Sequence, residues 1–243
     1  MARLLWDQTG EKFYETGVNQ GVLYVYDSSA ADTTKAYSPG VAWNGLSSVS
    51  ESPSGAEANK IYADNINYLN LYSAEEFGAT IEAYTYPDEF KACDGTSEVV
   101  SGAFVGQQTR KTFGFCFKTI IGNDVDGDNK GYKLHLIYGC KASPSEAQYQ
   151  TVNDSPEAIA FSWEITTTPV TIGKVNGVEY KPTARIIVDS TKFTTEAQKG
   201  YLTALENKLF GTDATQSAEA TTPYLPLPAE VFATLSGSQV VSG

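Results

Sequence analysis

Histidine is almost missing from this 243-residue chain, which has one, His135. Nucleophilic catalysis by Ser or Cys usually recruits a histidine base, and a single histidine excludes a histidine-rich metal centre within one chain. Cysteine is scarce as well. Cys93, Cys116 and Cys140 are odd in number, widely spaced and form no Cys-x-x-Cys pair. A disulfide framework or zinc ribbon is therefore not expected, and the three read as buried or half-buried free thiols of a reducing compartment. Basic residues are outnumbered, 17 Lys and Arg against 29 Asp and Glu, for a net charge of −12. Phosphate binding is driven by Lys and Arg that release counterions, so this is not a surface built to grip nucleic acid. No run approaches the roughly 18–20 apolar residues of a membrane span. The apolar opening Met1 to Leu5 is ended at once by Asp7, unlike a secretory signal. A Gly-Lys-Ser/Thr phosphate loop and a Gly-x-Gly-x-x-Gly turn into a helix are also absent. The expectation is a soluble, cytoplasm-made protein with no cofactor, no catalytic residues and no bound metal.

What is abundant favours strands. The chain carries 15 Tyr, 11 Phe and 3 Trp, and its 21 Gly and 10 Pro punctuate it at short intervals. Lys12 to Thr16 and Val22 to Tyr26 are β-formers separated by Gly17 to Gly21, the pattern of a hairpin. Asp27 to Lys35 is polar and aperiodic, a loop. Tyr37 to Lys60 has turn residues and irregularly spaced Val41, Trp43, Leu46 and Val49, which predicts a long excursion with a functional role. Ile61 to Leu71 reads as extended, and Ser73 to Phe77 as one helical turn with Glu76 completing a capping box. From Thr80 to Tyr86, Ile81, Ala83 and Thr85 alternate with Glu82, Tyr84 and Tyr86, a half-buried strand stopped by Pro87.

Thr112 to Ile121 and Tyr132 to Tyr138 flank a polar tip. Ala158 to Thr168 is a further strand, and Asn176-Gly177 predicts a hairpin between Val170–Val175 and Val178–Val188. One helix is expected, capped by Thr195 with Gln198 as reciprocal partner, carrying Tyr201, Leu202, Leu205 and Leu209 as an apolar stripe and stopping at Gly211. Pro223 to Pro228 must be extended. The predicted class is mainly β (α+β), a β-sandwich or small barrel with one docked helix, in a single domain over residues 1–243.

Candidate chemistry is thin. Asp124, Asp126 and Asp128 alternate like the start of a calcium loop, but Asn129 stands where glycine is needed and His135 where a bidentate Glu belongs. A solvated hairpin tip is the better reading. Glu75-Glu76 and Asp88-Glu89 are paired acids by position only, better explained as a helix start and a turn than as glycosidase carboxylates.

Several blocks in order carry a resemblance. They run from Gly40-Val-Ala-Trp-Asn-Gly-Leu46 and Glu51-Ser-Pro-Ser-Gly-Ala-Glu57 through Tyr62-Ala-Asp-Asn65, Ser73-Ala-Glu-Glu-Phe77 and Ile81-Glu-Ala-Tyr-Thr-Tyr-Pro-Asp-Glu-Phe90. Gly131-Tyr-Lys-Leu-His-Leu-Ile-Tyr-Gly139, Asn153-Asp-Ser-Pro-Glu-Ala158, Phe161-Ser-Trp-Glu164, Leu209-Phe-Gly-Thr-Asp213 and Leu225-Pro-Leu-Pro-Ala-Glu-Val231 follow. Over residues 11–235 the chain resembles the major tail (tail tube) proteins of siphophages infecting Gram-positive bacteria. The resemblance implies a structural virion protein, six copies per ring, with rings stacked axially into a non-contractile tube. Its partners would be itself, other tail proteins at the two ends, and viral DNA in transit without specific binding. It would be assembled in host cytoplasm and reside in the virion tail, without contact with a membrane.

Within that frame the stretch 37–60 is expected to be an inter-ring loop, with Trp43 and Leu46 reaching a neighbour. The arm 212–243 is expected to pack on another subunit through Tyr224, Leu225 and Leu227. An acidic bore lets DNA slide, and Glu82, on the polar face of its strand, is expected to face it. A capsid decoration protein, a tail terminator, the tube of a contractile machine and a carbohydrate-binding β-sandwich are the alternatives.

Overall fold

The computed structural model describes residues 3–144, 147–149, 151, 154, 158–175, 177–215 and 219–237. In chain order its strands are β1 Phe13–Tyr26, β2 Tyr37–Trp43, β3 Leu46–Glu51, β4 Ser54–Gly55, β5 Ala58–Ala63, β6 Ile66–Tyr72, β7 Glu75–Glu76 and β8 Gly78–Ala83. β9 Ser97–Val100, β10 Ala103–Val105, β11 Phe113–Asn123, β12 Gly127–Ala142, β13 Phe161–Thr167, β14 Gly173–Val175, β15 Val178–Tyr180 and β16 Arg185–Asp189 follow. The helices α1 Glu196–Phe210 and α2 Pro228–Ser236 close the described chain.

Eight of these strands form one antiparallel sheet in the order β2-β1-β11-β12-β13-β8-β3, with β16 also paired to β12. β12 divides it. Lys133 to Ile137 pair with β16, whereas Cys140 to Ala142 pair with β13. The change of partner falls at Gly139, whose φ of +61° suits glycine and whose Cα lies so close to β13 that an added Cβ would sit 2.1 Å from the Thr168 carbonyl oxygen. The sheet therefore turns back on itself there. β3, β8 and β13 cover one face of β1, β11 and β12, and the helices cover the other.

β11 records this arrangement in its sequence. Phe113, Phe115 and Phe117 point one way and Gly114 and Cys116 the other, and all five are buried, as expected of a strand covered on both sides. The phenylalanines join Trp43, Ile81, Phe90, Trp163 and Ile165 in an aromatic core between the sheet layers. Cys116 faces the second core, where Leu134, Leu136, Tyr138 and Val188 meet Leu202, Leu205 and Leu209 of α1. Each such leucine removed from water contributes roughly 1.5–3 kcal/mol, which outweighs the cost of Gly200 within α1, about 1 kcal/mol relative to alanine.

The sheet does not close into a barrel. Among the described residues β2 pairs only with β1, and β3 only with β8, although just Asn44 and Gly45 separate them in the chain. The upper part of the β2 edge is covered by the C-terminal segment: Gly40 N donates to Pro223 O (2.8 Å) and Leu225 N to Tyr37 O (3.0 Å).

Several expectations are met. α1 has the Thr195–Gln198 capping box in both directions, and Gly211 follows its last residue. β8 buries Ile81 and Ala83 and exposes Glu82. β14 and β15 form the hairpin expected around Gly177, Asn176 itself lying outside the described residues. Others are corrected. Gly17 to Gly21 is not a hairpin turn, because two register shifts let β1 run on along β11. Positive φ at Gly17 and Gln20 accommodates the extra residues. Tyr37 to Glu51 is no loop but two core strands. Ser73 to Phe77 is not helical, since Glu75–Glu76 pair with β4. α2 is a second helix, opened by Pro228 and closed by Gly237.

Candidate assembly surface

All five residues expected at an interface turn inward to varying degrees. Trp43 is 2% exposed, and its ring meets Phe90, Phe115 and Trp163 at centroid distances of 4.5, 5.4 and 5.6 Å. It belongs to its own subunit's core. Leu46 is half-buried against the same cluster. Leu225 is fully buried, and Leu227 packs beside it against the helix-side core. The Tyr138 hydroxyl, itself in that core, donates to Pro226 O at 2.9 Å. Tyr224 is half-buried and donates to Glu230 Oε1 at 2.6 Å. The segment 223–228 thus folds back on its own chain, because its two backbone bonds to β2, a third from Tyr224 N to Lys208 O (2.8 Å) and the two tyrosine hydroxyls fix it there. Residues 216–218 and 238–243 of the expected arm lie outside the described residues.

The protruding element begins later than expected. β4 and β7 form a short neck, and beyond it β5 and β6 form a hairpin joined by Asp64-Asn65, both at positive φ, the backbone of a two-residue type I′ turn. Neither β5 nor β6 pairs with any other strand of the described chain. The register gives this arm two faces. Ile61 lies opposite Leu69, Asn59 opposite Leu71 and Ala63 opposite Ile66, which gathers the aliphatic residues on one side. Lys60 opposite Asn70, Tyr62 opposite Asn67 and Ala58 opposite Tyr72 make the other side. The aliphatic side is not covered: Ile66 and Leu71 are 62% and 52% exposed. Singly scattered apolar residues are normal on a surface, but a contiguous set marks a contact site. A lone two-stranded hairpin is also marginal in water. A second hairpin, β9–β10, exposes Val99, Val100, Phe104 and Val105.

The outward face of β3, β8 and β13 has the opposite character. Ser48 lies opposite Glu82 and Ser50 opposite Thr80, while Ser162 and Glu164 lie across β8 from the same pair. Thr166 extends the row. The three strands contain no Lys or Arg, so they present short hydroxyls and two carboxylates to solvent. Glu82 is exposed and accepts from Ser48 Oγ at 2.8 Å.

The Asp-rich tip serves as an anchor for the chain's own beginning. Asp124 Oδ1 accepts from Gly10 N and Lys12 N at 3.0 and 3.3 Å, Asp128 Oδ1 from Tyr14 Oη at 2.8 Å, and Asp126 pairs with Lys130. No group of three or more His, Cys, Asp or Glu converges on one point among the described residues. The cysteines are all buried, and burial raises each thiol, Cys93 to about 12. A groove of about 750 Å³ beside the β2–β3 corner is lined by apolar residues such as Trp43, Leu46, Leu209 and Phe210 and by Asn19, Gln20 and Asn44, with no titratable group. Among the described residues no helix is long and apolar enough to cross a membrane.

Sequence reasoning missed the arm as such, though Asp64-Asn65 between β-formers was the available signal. No family model and no curated protein matches the chain. Among solved structures it is similar to a chain of the six-fold-symmetrised cryo-EM structure of the anti-feeding prophage (AFP) baseplate. The identity is 9% and the TM-score 0.34, over 76% of this chain and 97% of that one. A likeness at that level carries no argument about function.

Proposed function

We propose that this chain is a structural subunit without catalytic activity, the tube protein of a non-contractile phage tail, forming hexameric rings that stack into a conduit for DNA. The observation that carries the reading is the β5–β6 arm, a two-faced hairpin whose aliphatic side has no partner among the described residues of its own subunit. Burying that side on a second copy supplies the packing layer that a lone hairpin lacks. A repeated head-to-tail contact of this kind closes into rings or extends into tubes, since donor and acceptor surfaces differ. The arm at 52–77, rather than the stretch 37–60, is then the inter-ring element.

The conduit role is supported by the face built from Ser48, Ser50, Thr80, Glu82, Glu164 and Thr166. Short side chains and the two carboxylates repel phosphate, and the only cation that the register sets beside these strands is Lys141 of β12, opposite Thr166 at the edge of the row, so a passing polymer is held weakly. In this reading Glu82 and Glu164 line the bore. Other tail proteins cap the tube at its two ends, and the product is a virion component assembled in the host cytoplasm.

Negative-stain microscopy of the purified full-length protein tests the reading. Rings or tubes of uniform bore are expected, and they are lost when residues 58–72 are replaced by a short Gly-Ser turn while the far-ultraviolet circular dichroism of the remaining sheet persists. A full-length protein that stays monomeric at high concentration and inside assembled particles overturns it.

A further inference from the structure

The apolar opening of the chain has no place in its own fold. Arg3 to Trp6 belong to no helix or strand, and among the described residues they enter no hydrogen-bonded ladder. Leu4, Leu5 and Trp6 are 72%, 64% and 76% exposed, three consecutive large side chains left to water. Scattered apolar residues on a surface need no explanation, but a contiguous set marks a contact site. Behind the segment the chain is fixed. Asp7 turns it at a φ of +53°, and the Gly10 and Lys12 N–H groups are held by Asp124. Arg3–Trp6 is therefore a short extended end hung from a firm point.

The aliphatic side of the β5–β6 arm has the matching deficiency. Ile61, Ile66, Leu69 and Leu71 lack a cover, and two strands need a third, or a packed layer, to be stable in water. Charge narrows what that cover is. Residues 52–77 carry Glu57, Asp64, Glu75 and Glu76 against Lys60 alone, and none of these has an ion-pair partner among the described residues. Packing arm on arm would bring two acid-rich surfaces together. The β9–β10 hairpin is also apolar, but the only charge within its strands is Glu98. Arg3–Trp6 carries one charge, the Arg3 guanidinium, of the required sign. Within one subunit the segment and the arm are both exposed, so the cover comes from another copy.

We infer that the aliphatic side of the arm takes Arg3–Trp6 of a second copy as its covering strand. In an extended segment Leu4 and Trp6 share one side, which lies over Ile61, Leu69 and Leu71, while Arg3 reaches the acids at the rim. This deepens the reading of the chain as a self-assembling subunit and rests on it, by naming what the arm binds. Donor segment and acceptor arm are different surfaces, so each copy gives one and receives one, and the series runs on until it closes.

Disulfide trapping between full-length copies tests the contact. The native cysteines are all buried, so introduced thiols report alone. Leu4→Cys protein and nitrogen-15-labelled Leu69→Cys protein are mixed in equal amounts, oxidised and resolved by intact mass. The expected product is a dimer of one light and one heavy chain. It should be absent when Thr203→Cys, at an exposed position of α1, replaces Leu4→Cys. Deleting Arg3–Trp6 should abolish rings and leave the melting of the dispersed subunit unchanged. A mixed dimer no more abundant than in the Thr203→Cys control, or a dominant dimer of two Leu69→Cys chains, overturns the proposal. Rings that form without Arg3–Trp6 overturn it as well and leave the tube reading standing. A mixed dimer trapped from a protein that forms neither rings nor tubes upholds the contact and overturns the tube instead.

Discussion

The indole N–H of Trp43 donates to the carbonyl oxygen of Thr85 across 2.9 Å, tying the end of β2 to the residues that follow β8. The two belong to opposite layers of the folded sheet, so this bond and the ring contacts around it fasten the open corner where β2 and β3 fail to pair. Truncating Trp43 to alanine should cost about 3–5 kcal/mol, read as a lower denaturant midpoint in urea. The loss should appear in dispersed subunits, with no selective effect on assembly.

How much of this was legible in the sequence depends on whether the signal was local. The capping box of α1 and the alternation of β8 lie within a few consecutive residues, and both were readable. Trp43 was not, because its burial depends on Phe90, Phe115 and Trp163, which come from a short helical turn and two strands far apart in the chain. The arm was half legible: its extended character showed, but Asp64-Asn65 is a weaker turn signal than Asn-Gly, so one long strand was expected where two exist. Register alone gathers Glu15, Glu51, Thr119, Lys133 and Arg185 around His135, and no spacing rule reaches that far.

The arm offers a clean separation of stability from assembly. Ile66 is largely exposed and sits on the aliphatic face, so Ile66→Asp should change subunit stability by no more than about 0.5 kcal/mol. On the proposed reading it places a carboxylate where a neighbour buries aliphatic surface, and sedimentation should show dispersed subunits in place of rings. Rings at wild-type yield would locate the contact elsewhere.

The C-terminal segment should behave as core. Leu225 occupies the space left by Gly114: a Cβ there would lie 2.3 Å from Leu225 Cδ2. Leu225→Ala is expected to lose about 2–5 kcal/mol, and Gly114→Ala to displace the segment and lose about 1–3 kcal/mol through overpacking. Tyr138→Phe leaves the Pro226 carbonyl without its donor and should cost about 1–3 kcal/mol. Thermal melts of the three variants order these effects.

Thiol chemistry reports on the same cores. The thiolate is the nucleophile, and Cys93, Cys116 and Cys140 are buried with their thiols raised. An alkylating reagent at pH 8 should therefore modify none of the three in the native protein and all three in denaturant, quantified by intact mass. Rapid modification of one site without denaturant would reveal local opening around it.

The Asp-rich tip gives the last prediction, and its sign follows from geometry. Slight burial acts to raise Asp124, but the backbone N–H groups of Gly10 and Lys12 outweigh it and hold the carboxyl below its ordinary value. A depressed folded value means that the anchoring is present above the unfolded value of about 3.8 and lost as the pH falls through the folded one. Asp124→Ala should free the segment before β1 at neutral pH, seen as faster proteolytic nicking between Asp7 and Lys12. The same bonds argue against a cation site. Asp124 turns to Gly10 and Lys12, Asp128 to Tyr14 and Asp126 to Lys130, so the three carboxylates diverge where a hard cation needs six to eight converging oxygens. Calorimetric titration with millimolar calcium should give no binding heat, and a saturable heat abolished by Asp126→Asn would show that the tip rearranges to bind it.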